Sequence, residues 1–349
     1  MDRKRRLLTC ALGAAPLAAG GLLAGAGVRA QEAQTLRFNL FTPKTHFYHR
    51  RILEPWAAAI DKATAGRVKV EFTTAPLGPM TRAAEIARNG IADIAAGNHG
   101  VIPGRFPLTQ ITEIPFVQAT TPEAMSVALW RVHERYLAKL NEHEGTQVLA
   151  LHTSGSMHLF SREKPLRSAA DLKGLKLLAP GTTGAQWATV MGAVPVLKSV
   201  TEYYDTISKG VVDGVLATNT SVAGWRAEDL IKHQTVIPGA TLYGTFFIVA
   251  NPAKWNAISA PDREAIMALC GENYARQAGR VFLDEDNKAI QARTAGRIQV
   301  EDASPQFRTE IARGFDFVEH AWLDKAKAAG IDGPAALKYF RDQVTGYKA

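Results

Sequence analysis

Cysteine is nearly absent from this chain, with Cys10 and Cys270 the only two in 349 residues. Cys10 lies in an N-terminal segment that we expect to be removed, so one mature chain can form no disulfide and no cysteine metal site. Cys270 stands between Leu269 and Gly271 in a predicted helix, where a cysteine is typically a small buried hydrophobic residue rather than a nucleophile. These counts exclude a disulfide scaffold and a cysteine-based metalloprotein.

The sequence also lacks the common catalytic motifs, namely the serine-hydrolase elbow, the Walker loop, the zinc-protease helix and the dinucleotide-binding glycines. His152 and His158 flank Thr153 to Ser156, which suggests a nucleophile and a base, but adjacent strand residues point to opposite faces. Glu202 and Asp205 lie three apart on one predicted helix, where such acids normally face solvent. We therefore predict no enzyme activity, no metal site and no cofactor.

A strong excess of charge is missing from the mature chain. The net charge of +8 includes five basic residues and one acid in residues 1–30, so removing that segment leaves 36 − 32 = +4. This value predicts no nucleic-acid partner. Internal repeats, low-complexity linkers and heptads are absent too, and the remaining length suits two globular domains.

Only the N-terminus carries a long apolar run, from Leu7 to Val28, directly after the basic stretch Asp2 to Arg6. This pattern predicts a signal peptide over residues 1–30, with the mature chain beginning near Gln31. The pair Arg5-Arg6 resembles a twin-arginine export signal, although Lys4 stands where a Ser or Thr usually precedes the pair. A single membrane anchor is the alternative, which the many glycines and Pro16 disfavour.

The most informative stretch is Asp171 to Gly214. Short strands at Leu175–Leu178, Pro195–Leu197 and Val211–Ala217 alternate with predicted helices, which is typical of a parallel, doubly wound sheet. In such sheets ligands bind at the carboxyl ends of the strands.

This stretch closely resembles the second domain of solute receptors from tripartite ATP-independent periplasmic (TRAP) transporters. The family pattern appears here as Asp171-Leu172-Lys173-Gly174, then Thr201-Glu202-Tyr203-Tyr204, then Val212-Asp213-Gly214. Further matches are Pro55-Trp56, Thr64 to Val68, Leu77-Gly78-Pro79, Gly90 to Ile94 and Glu113 to Phe116. The resemblance covers nearly the whole mature chain. It implies an α/β, two-lobed periplasmic-binding-protein fold, with doubly wound sheets joined by crossing strands and a long bracing helix.

The chain departs from the family where the solute is expected to bind. The family arginine that pairs with the solute carboxylate falls at Leu178, and two further pocket positions fall at Val200 and Ala217. We therefore expect the protein not to hold a simple aliphatic dicarboxylate as its relatives do. Compensating groups would be His99, His152, Lys44 or Arg105, if they face the cleft.

Polar and aromatic residues near predicted strand ends and the lobe crossing are the solute-binding candidates. They are His46, Phe47, Asn98, His99, His152, Ser154, Leu178, Trp187, Tyr203, Asn219 and Tyr243. For three of them other roles stay open: His99 as a solvated loop residue, His152 as a satisfied core residue, and Ser154 as part of a plain linker. Phe47, Trp187 and Tyr243 would suit an aromatic acid.

The predicted lobes are discontinuous in sequence. We place the first lobe at 33–153 with 244–281, the second at 154–243 with about 282–310, and C-terminal helices at 311–349. One helix, capped by Ser259 and continuing to about Ala295, would span ~50 Å and brace both lobes.

The resemblance implies a periplasmic receptor that closes on a small organic acid and delivers it to TRAP membrane permease subunits. The hinge is expected near Thr153–Ser156 and Pro238–Tyr243. Three alternatives remain: a receptor for a neutral or cationic solute, a receptor serving a sensor or another transporter, and a periplasmic enzyme on the same scaffold.

Overall fold

Strands and helices alternate along the computed structural model, which describes residues 33–114, 121–198, 200–237, 242–294, 296 and 298–348. The predicted signal peptide, residues 1–30, and residues 238–241 of the expected hinge lie outside these ranges. The described strands are β1 Gln34–Asn39, β2 Val68–Phe72, β3 Ile94–Asn98, β4 Gln147–Ser161, β5 Lys176–Leu178, β6 Val194–Val196, β7 Gly214–Thr218, β8 His233–Val236, β9 Tyr243–Ala250 and β10 Gln299–Asp302.

The helices of the described residues include one long element, α10, among shorter ones. They are α1 Glu54–Ala63, α2 Ala83–Arg88, α3 Pro122–Val132, α4 Ala169–Leu172, α5 Gly181–Val190, α6 Tyr203–Ser208, α7 Asn219–Gly224, α8 Pro252–Asn256, α9 Ala260–Met267, α10 Gly271–Thr294, α11 Pro305–Gly314, α12 Asp316–Ala328 and α13 Gly333–Thr345. A π-helical turn, Tyr48–Leu53, runs directly into α1. No described helix is long and apolar enough to cross a membrane.

Two sheets are joined through β4. The first sheet has the order β2-β1-β3-β9-β4, and the second continues as β4-β7-β5-β6, with β8 and β10 attached to it. Pairs β1–β2, β1–β3, β5–β6 and β5–β7 are parallel, whereas β9 and β4 pair antiparallel with their neighbours. The two-lobed α/β prediction is confirmed, with mixed rather than all-parallel sheets.

Strand β4 is 15 residues long and continues through Thr153–Ser156, where the hinge is expected. Its first part pairs with β9, and its last part, Met157 to Ser161, pairs with β7. The stretch between Thr153 and Ser156 carries a register shift, but it remains within the strand. The interpretation of these residues as a plain linker is therefore wrong. The boundaries of the lobes stay predictions.

The predicted bracing helix is two helices. Ser259 caps α9 as expected, accepting a hydrogen bond from the Asp262 amide. The helix then breaks before α10 at Gly271, whose φ of 54° is left-handed. The 24 residues of α10 span about 36 Å, shorter than expected. α10 still packs against α3, β4, α7 and β10, so it contacts elements of both sheets.

Close packing holds α10 in place. A Cβ at Gly279 would lie 2.3 Å from the Glu123 Cα, so only glycine permits this approach of α10 to α3. Beside this contact, Glu123 accepts a hydrogen bond from Arg280 at 2.8 Å. Cys270 is buried at the α9–α10 break, as predicted for a small hydrophobic residue, although it lies outside both helices.

Candidate functional site

Two adjoining cavities lie where β4 and β9 pass between the sheets. They share four lining residues: Ser154 of β4, Phe246 of β9, Ser221 of α7, and Val200 just before α6. Because one strand pair and two second-sheet segments line both cavities, we treat them as the aromatic half and the polar half of one cleft.

The aromatic half carries six aromatic side chains besides a histidine. Its lining residues are Phe41, Thr42, His46, Phe47, Tyr48, Ser154, Val200, Thr220, Ser221, Trp225, Phe246 and Phe282. The cavity in this half has a volume of about 40 Å³. The rings pack on one another, with Phe41 and Phe246 stacked at 6.3 Å between centroids. None of its described lining residues carries a full charge at neutral pH, because burial lowers the pKa of His46 to about 4.

The polar half contains a single charged side chain among its described lining residues, Lys198. Its lining residues are Met80, Asn98, Val101, Ser154, Met157, Pro180, Lys198, Val200, Tyr203, Ala217, Thr218, Ser221, Gly244 and Phe246. The cavity in this half has a volume of about 50 Å³. The ammonium of Lys198 lies 3.0 Å from Glu202 Oε1, and the side chain is 44% exposed. An ammonium beside hydroxyl and amide groups suits a carboxylate.

Ser154 is held in a defined orientation between the halves. Its Oγ accepts a hydrogen bond from the Gly244 amide at 3.2 Å and donates to the Gly155 carbonyl at 3.0 Å. These bonds join β4 to β9 at the cleft wall.

Five of the predicted site residues line the cleft: His46, Phe47, Asn98, Ser154 and Tyr203. Three of them follow a general rule, because His46, Phe47 and Asn98 lie at or just after the carboxyl end of a first-sheet strand. Their contact with a solute stays a prediction.

His99 and His152 do not line either half. His99 is fully buried, and its Nε2 lies 2.9 Å from the Nε2 of His143. His152 lies behind the aromatic wall, stacked on Phe246 at 5.1 Å between centroids, with its Nε2 3.0 Å from the Tyr48 hydroxyl. Burial lowers the pKa of His99 to about 3 and that of His152 to about 4. Both are therefore neutral core residues, which for His152 was the stated alternative.

Leu178 and Trp187 also lie in packed cores rather than on the cleft wall. Leu178 is fully buried on β5 within the core of the second sheet. Trp187 on α5 is fully buried and stacks on Phe315 at 5.2 Å between centroids. Leu178, which stands at the family arginine position, therefore fills the core and does not line the cavity.

Asn219 and Tyr243 bond to neighbouring strands. Asn219 accepts a hydrogen bond from Gln234 at 2.9 Å. Tyr243 pairs with Ser156 across β4 and β9 and bonds to its side chain, while burial raises the pKa of the phenol to about 12. Neither residue lines the two halves.

The expected compensating cations are also elsewhere. Lys44 is exposed, and Arg105 donates to the Glu144 carbonyl at 3.4 Å. Neither lines the cleft. Lys198, which was not among the predicted site residues, lines the polar half instead. It lies two residues after β6, at the carboxyl end of a parallel strand, so that rule would have identified it.

Trp225, Phe246 and Phe282 were missed as well. They come from the end of α7, from β9 and from α10, which the sequence does not bring together by spacing. Only the tertiary fold places them around one cavity.

A larger, open basin of about 590 Å³ adjoins the aromatic half and shares His46, Phe47 and Thr220 with it. Its charged lining residues are three arginines and two glutamates, namely Arg50, Arg51, Arg226, Glu54 and Glu285, which sum to 3 − 2 = +1. This basin is therefore a mixed-charge surface at the aromatic end of the cleft.

A two-sheet receptor with a small enclosed cleft at the strand crossing is the class of protein that these features define. Residues 38–321 match the family model for bacterial extracellular solute-binding proteins, family 7. The chain belongs to this family, which comprises the solute-binding receptors of TRAP transporters. The family is extracytoplasmic and consists of receptors rather than enzymes.

Three known proteins are notably similar to this chain. The "Outer membrane transporter protein TsaT" of Comamonas testosteroni is 32% identical over 347 residues, which are 99% of each chain. A TRAP periplasmic solute-binding protein of Bordetella bronchiseptica, solved with bound (R)- and (S)-mandelate, superposes with a TM-score of 0.87 at 32% identity, covering 90% of this chain and 99% of that one. A TRAP solute-binding protein of Rhodoferax ferrireducens, solved with copurified benzoate, gives a TM-score of 0.83 at 27% identity, covering 90% and 98%.

Proposed function

We propose that this receptor binds a small aromatic carboxylate in the cleft and delivers it to TRAP permease subunits. The observation that carries the proposal is the pairing of a six-ring aromatic half with a polar half whose single described charged lining residue is Lys198. The ring would lie in the aromatic half and the carboxylate near Lys198. Binding of mandelate and benzoate by two similar receptors supports this assignment. Export through the predicted signal peptide would place the protein in the periplasm.

Charge explains why an aromatic acid fits better than an aliphatic dicarboxylate. A dicarboxylate would place its second carboxylate in the aromatic half, where no described lining residue carries a positive charge at neutral pH. An unpaired buried carboxylate costs several kcal/mol, which is two or more decades of affinity. We therefore expect succinate to bind far more weakly than benzoate.

Calorimetry with benzoate, mandelate and succinate tests the proposal on wild type and Lys198→Met. Because Lys198 is 44% exposed and also faces Glu202, solvent and that acid offset part of its effect. We expect benzoate and mandelate to bind Lys198→Met about 10- to 100-fold more weakly, at ~1.4 kcal/mol per decade.

Lys209→Met is the matched control. Lys209 also lies four residues from an acid, Asp205, but it is on the surface and lines neither half of the cleft. The control should bind like wild type. Equal binding of aromatic acids by Lys198→Met and wild type would reject the assigned carboxylate position, and chemical turnover of the bound acid would favour the enzyme alternative.

A further inference from the structure

Two buried polar atoms of the aromatic half have no hydrogen-bond partner among the described residues: the Thr42 hydroxyl and His46 Nε2. Thr42 is only 5% exposed, so its hydroxyl group has little access to bulk water as a hydrogen-bond partner. Buried polar groups are nearly always hydrogen-bonded, and an exception at a binding site calls for an explanation. Neither atom belongs to the polar half, so neither faces the proposed carboxylate position.

The hydrogen bonds of His46 show which group it offers. The Tyr48 backbone amide donates to His46 Nδ1 at 3.1 Å, so Nδ1 is an acceptor and has no proton. Because the buried ring is neutral near pH 7, its proton is on Nε2. His46 Nε2 is therefore an unused hydrogen-bond donor on a side chain that lines the aromatic half.

The imidazole has little freedom to turn this donor elsewhere. Its ring contacts Phe47 at 4.6 Å and Trp225 at 5.3 Å between centroids. A Cβ at Gly224 would lie 2.7 Å from His46 Nε2, so the glycine leaves the space beside this nitrogen free of a side chain. The ring packing fixes the imidazole.

We infer that the solute carries an uncharged hydrogen-bond acceptor, such as a hydroxyl group, on the ring end away from its carboxylate, and that Thr42 and His46 recognise it. The inference rests on the proposed function and narrows the solute class to polar-substituted aromatic acids. A hydroxyl can accept from His46 Nε2 and exchange a hydrogen bond with Thr42, which can donate and accept. A charged substituent is disfavoured because the described lining residues offer no opposite charge.

Matched ligand pairs test this inference: 3- and 4-hydroxybenzoate against 3- and 4-methylbenzoate, whose substituents are similar in size. We expect wild type to bind at least one hydroxy isomer 10-fold or more tightly than the methyl isomer of the same position. A site that bonds a hydroxyl discriminates strongly against an analogue that leaves its polar groups unpaired.

Thr42→Val removes the hydroxyl while keeping the shape of the side chain, and should bring the hydroxy-to-methyl affinity ratio to within about threefold of one. His46→Phe is a second variant with the same expected effect. Thr45→Val is the control, because exposed Thr45 lines the outer basin and not the cleft, and should keep the wild-type ratio.

Each outcome separates the inference from the proposed function. Equal binding of hydroxy and methyl isomers, or an unchanged ratio in both variants, overturns the inference, while Lys198-dependent benzoate binding would still support the proposed function. If no benzoate derivative binds wild type, the proposed function fails and the inference fails with it.

Discussion

Gly155 and Asp286 form a contact that tolerates no added atom. A Cβ at Gly155 would lie 1.9 Å from Asp286 Oδ2, in the register-shifted part of β4. Asp286 cannot simply rotate away, because its Oδ1 accepts from the Thr220 amide at 3.2 Å. The carboxylate thus links α10 to α7 across β4.

We expect Gly155→Ala to lower the free energy of unfolding by about 1–3 kcal/mol, the usual cost of overpacking. In an Asp286→Ala background the same substitution should cost less than about 1 kcal/mol, since the clashing carboxylate is gone. Urea unfolding followed by tryptophan fluorescence measures both. Gly184→Ala, in α5 with its nearest neighbour at 3.4 Å, is a control that should not destabilise. Equal costs in the two backgrounds would contradict this account.

One physical reason explains both the correct and the incorrect predictions of site residues. Strand ends locate a backbone position, so residues such as His46 and Asn98 could be placed at the cleft. The direction of a side chain on a helix or on an interior strand depends on packing, which is why His152 and Trp187 were assigned wrongly. Lys198 was not predicted, because the family pattern assigns the carboxylate contact to the position of Leu178, which lies in the core.

At the scale of the elements, several buried histidines make the free energy of unfolding depend on pH. They lie just after β3 and in the segment before β4. His133 Nδ1 is buried with no hydrogen-bond partner in the part of the chain that the structure describes, and burial lowers the pKa of this histidine to about 4. It contacts the rings of Trp130 and His143, and the acids Glu134 and Glu142 line the same groove.

The sign of the pH effect follows from the unfolded pKa of about 6.5. The unfolded chain binds the proton first, so stability is full above pH 6.5 and falls as pH drops toward 4. The difference between the folded and unfolded pKa of His133 corresponds to about 3 kcal/mol in the free energy of unfolding. We expect His133→Phe to lose less stability than wild type between pH 8 and pH 4, by up to that amount, in urea unfolding at each pH. The values at pH 8 correct for packing, and parallel pH curves would show that His133 does not contribute.

The sequence predicts well where helices and strands occur, but it does not predict where one of them breaks or continues. The Ser259 cap was recognised from its residues, whereas the break at Gly271 was not, because one glycine within a helical pattern does not reveal its φ. Conversely, Ser154 to Ser156 looked like a linker by composition, yet pairing with β9 keeps them in β4.

For the whole molecule, the question is how a solute enters a cleft that leaves so little space. Two contacts lie beside its polar half, next to the lining residues Pro180 and Val101. The Thr183 hydroxyl donates to Glu113, and a Cβ at Gly181 would lie 3.0 Å from the Gly100 carbonyl. These contacts would have to separate for the two sides of the cleft to move apart. Strands β4 and β9 remain paired beneath it, so motion is expected about their crossing.

We therefore expect solute binding to favour a closed form over an open one, and small-angle scattering to show a smaller radius of gyration at saturating benzoate. Without the predicted signal peptide the chain has 349 − 30 = 319 residues, for which compact packing gives about 20 Å; the solute-free protein should exceed the liganded value. A ligand shifts such an equilibrium only through its differential affinity for the two forms. Lys198→Met at the same benzoate concentration should therefore keep the larger radius, because it binds too weakly to shift the population. If wild type gave one radius with and without saturating benzoate, the crossing of β4 and β9 would not act as a hinge, and the cleft would have to open by local motion around Thr183 and Gly181 alone.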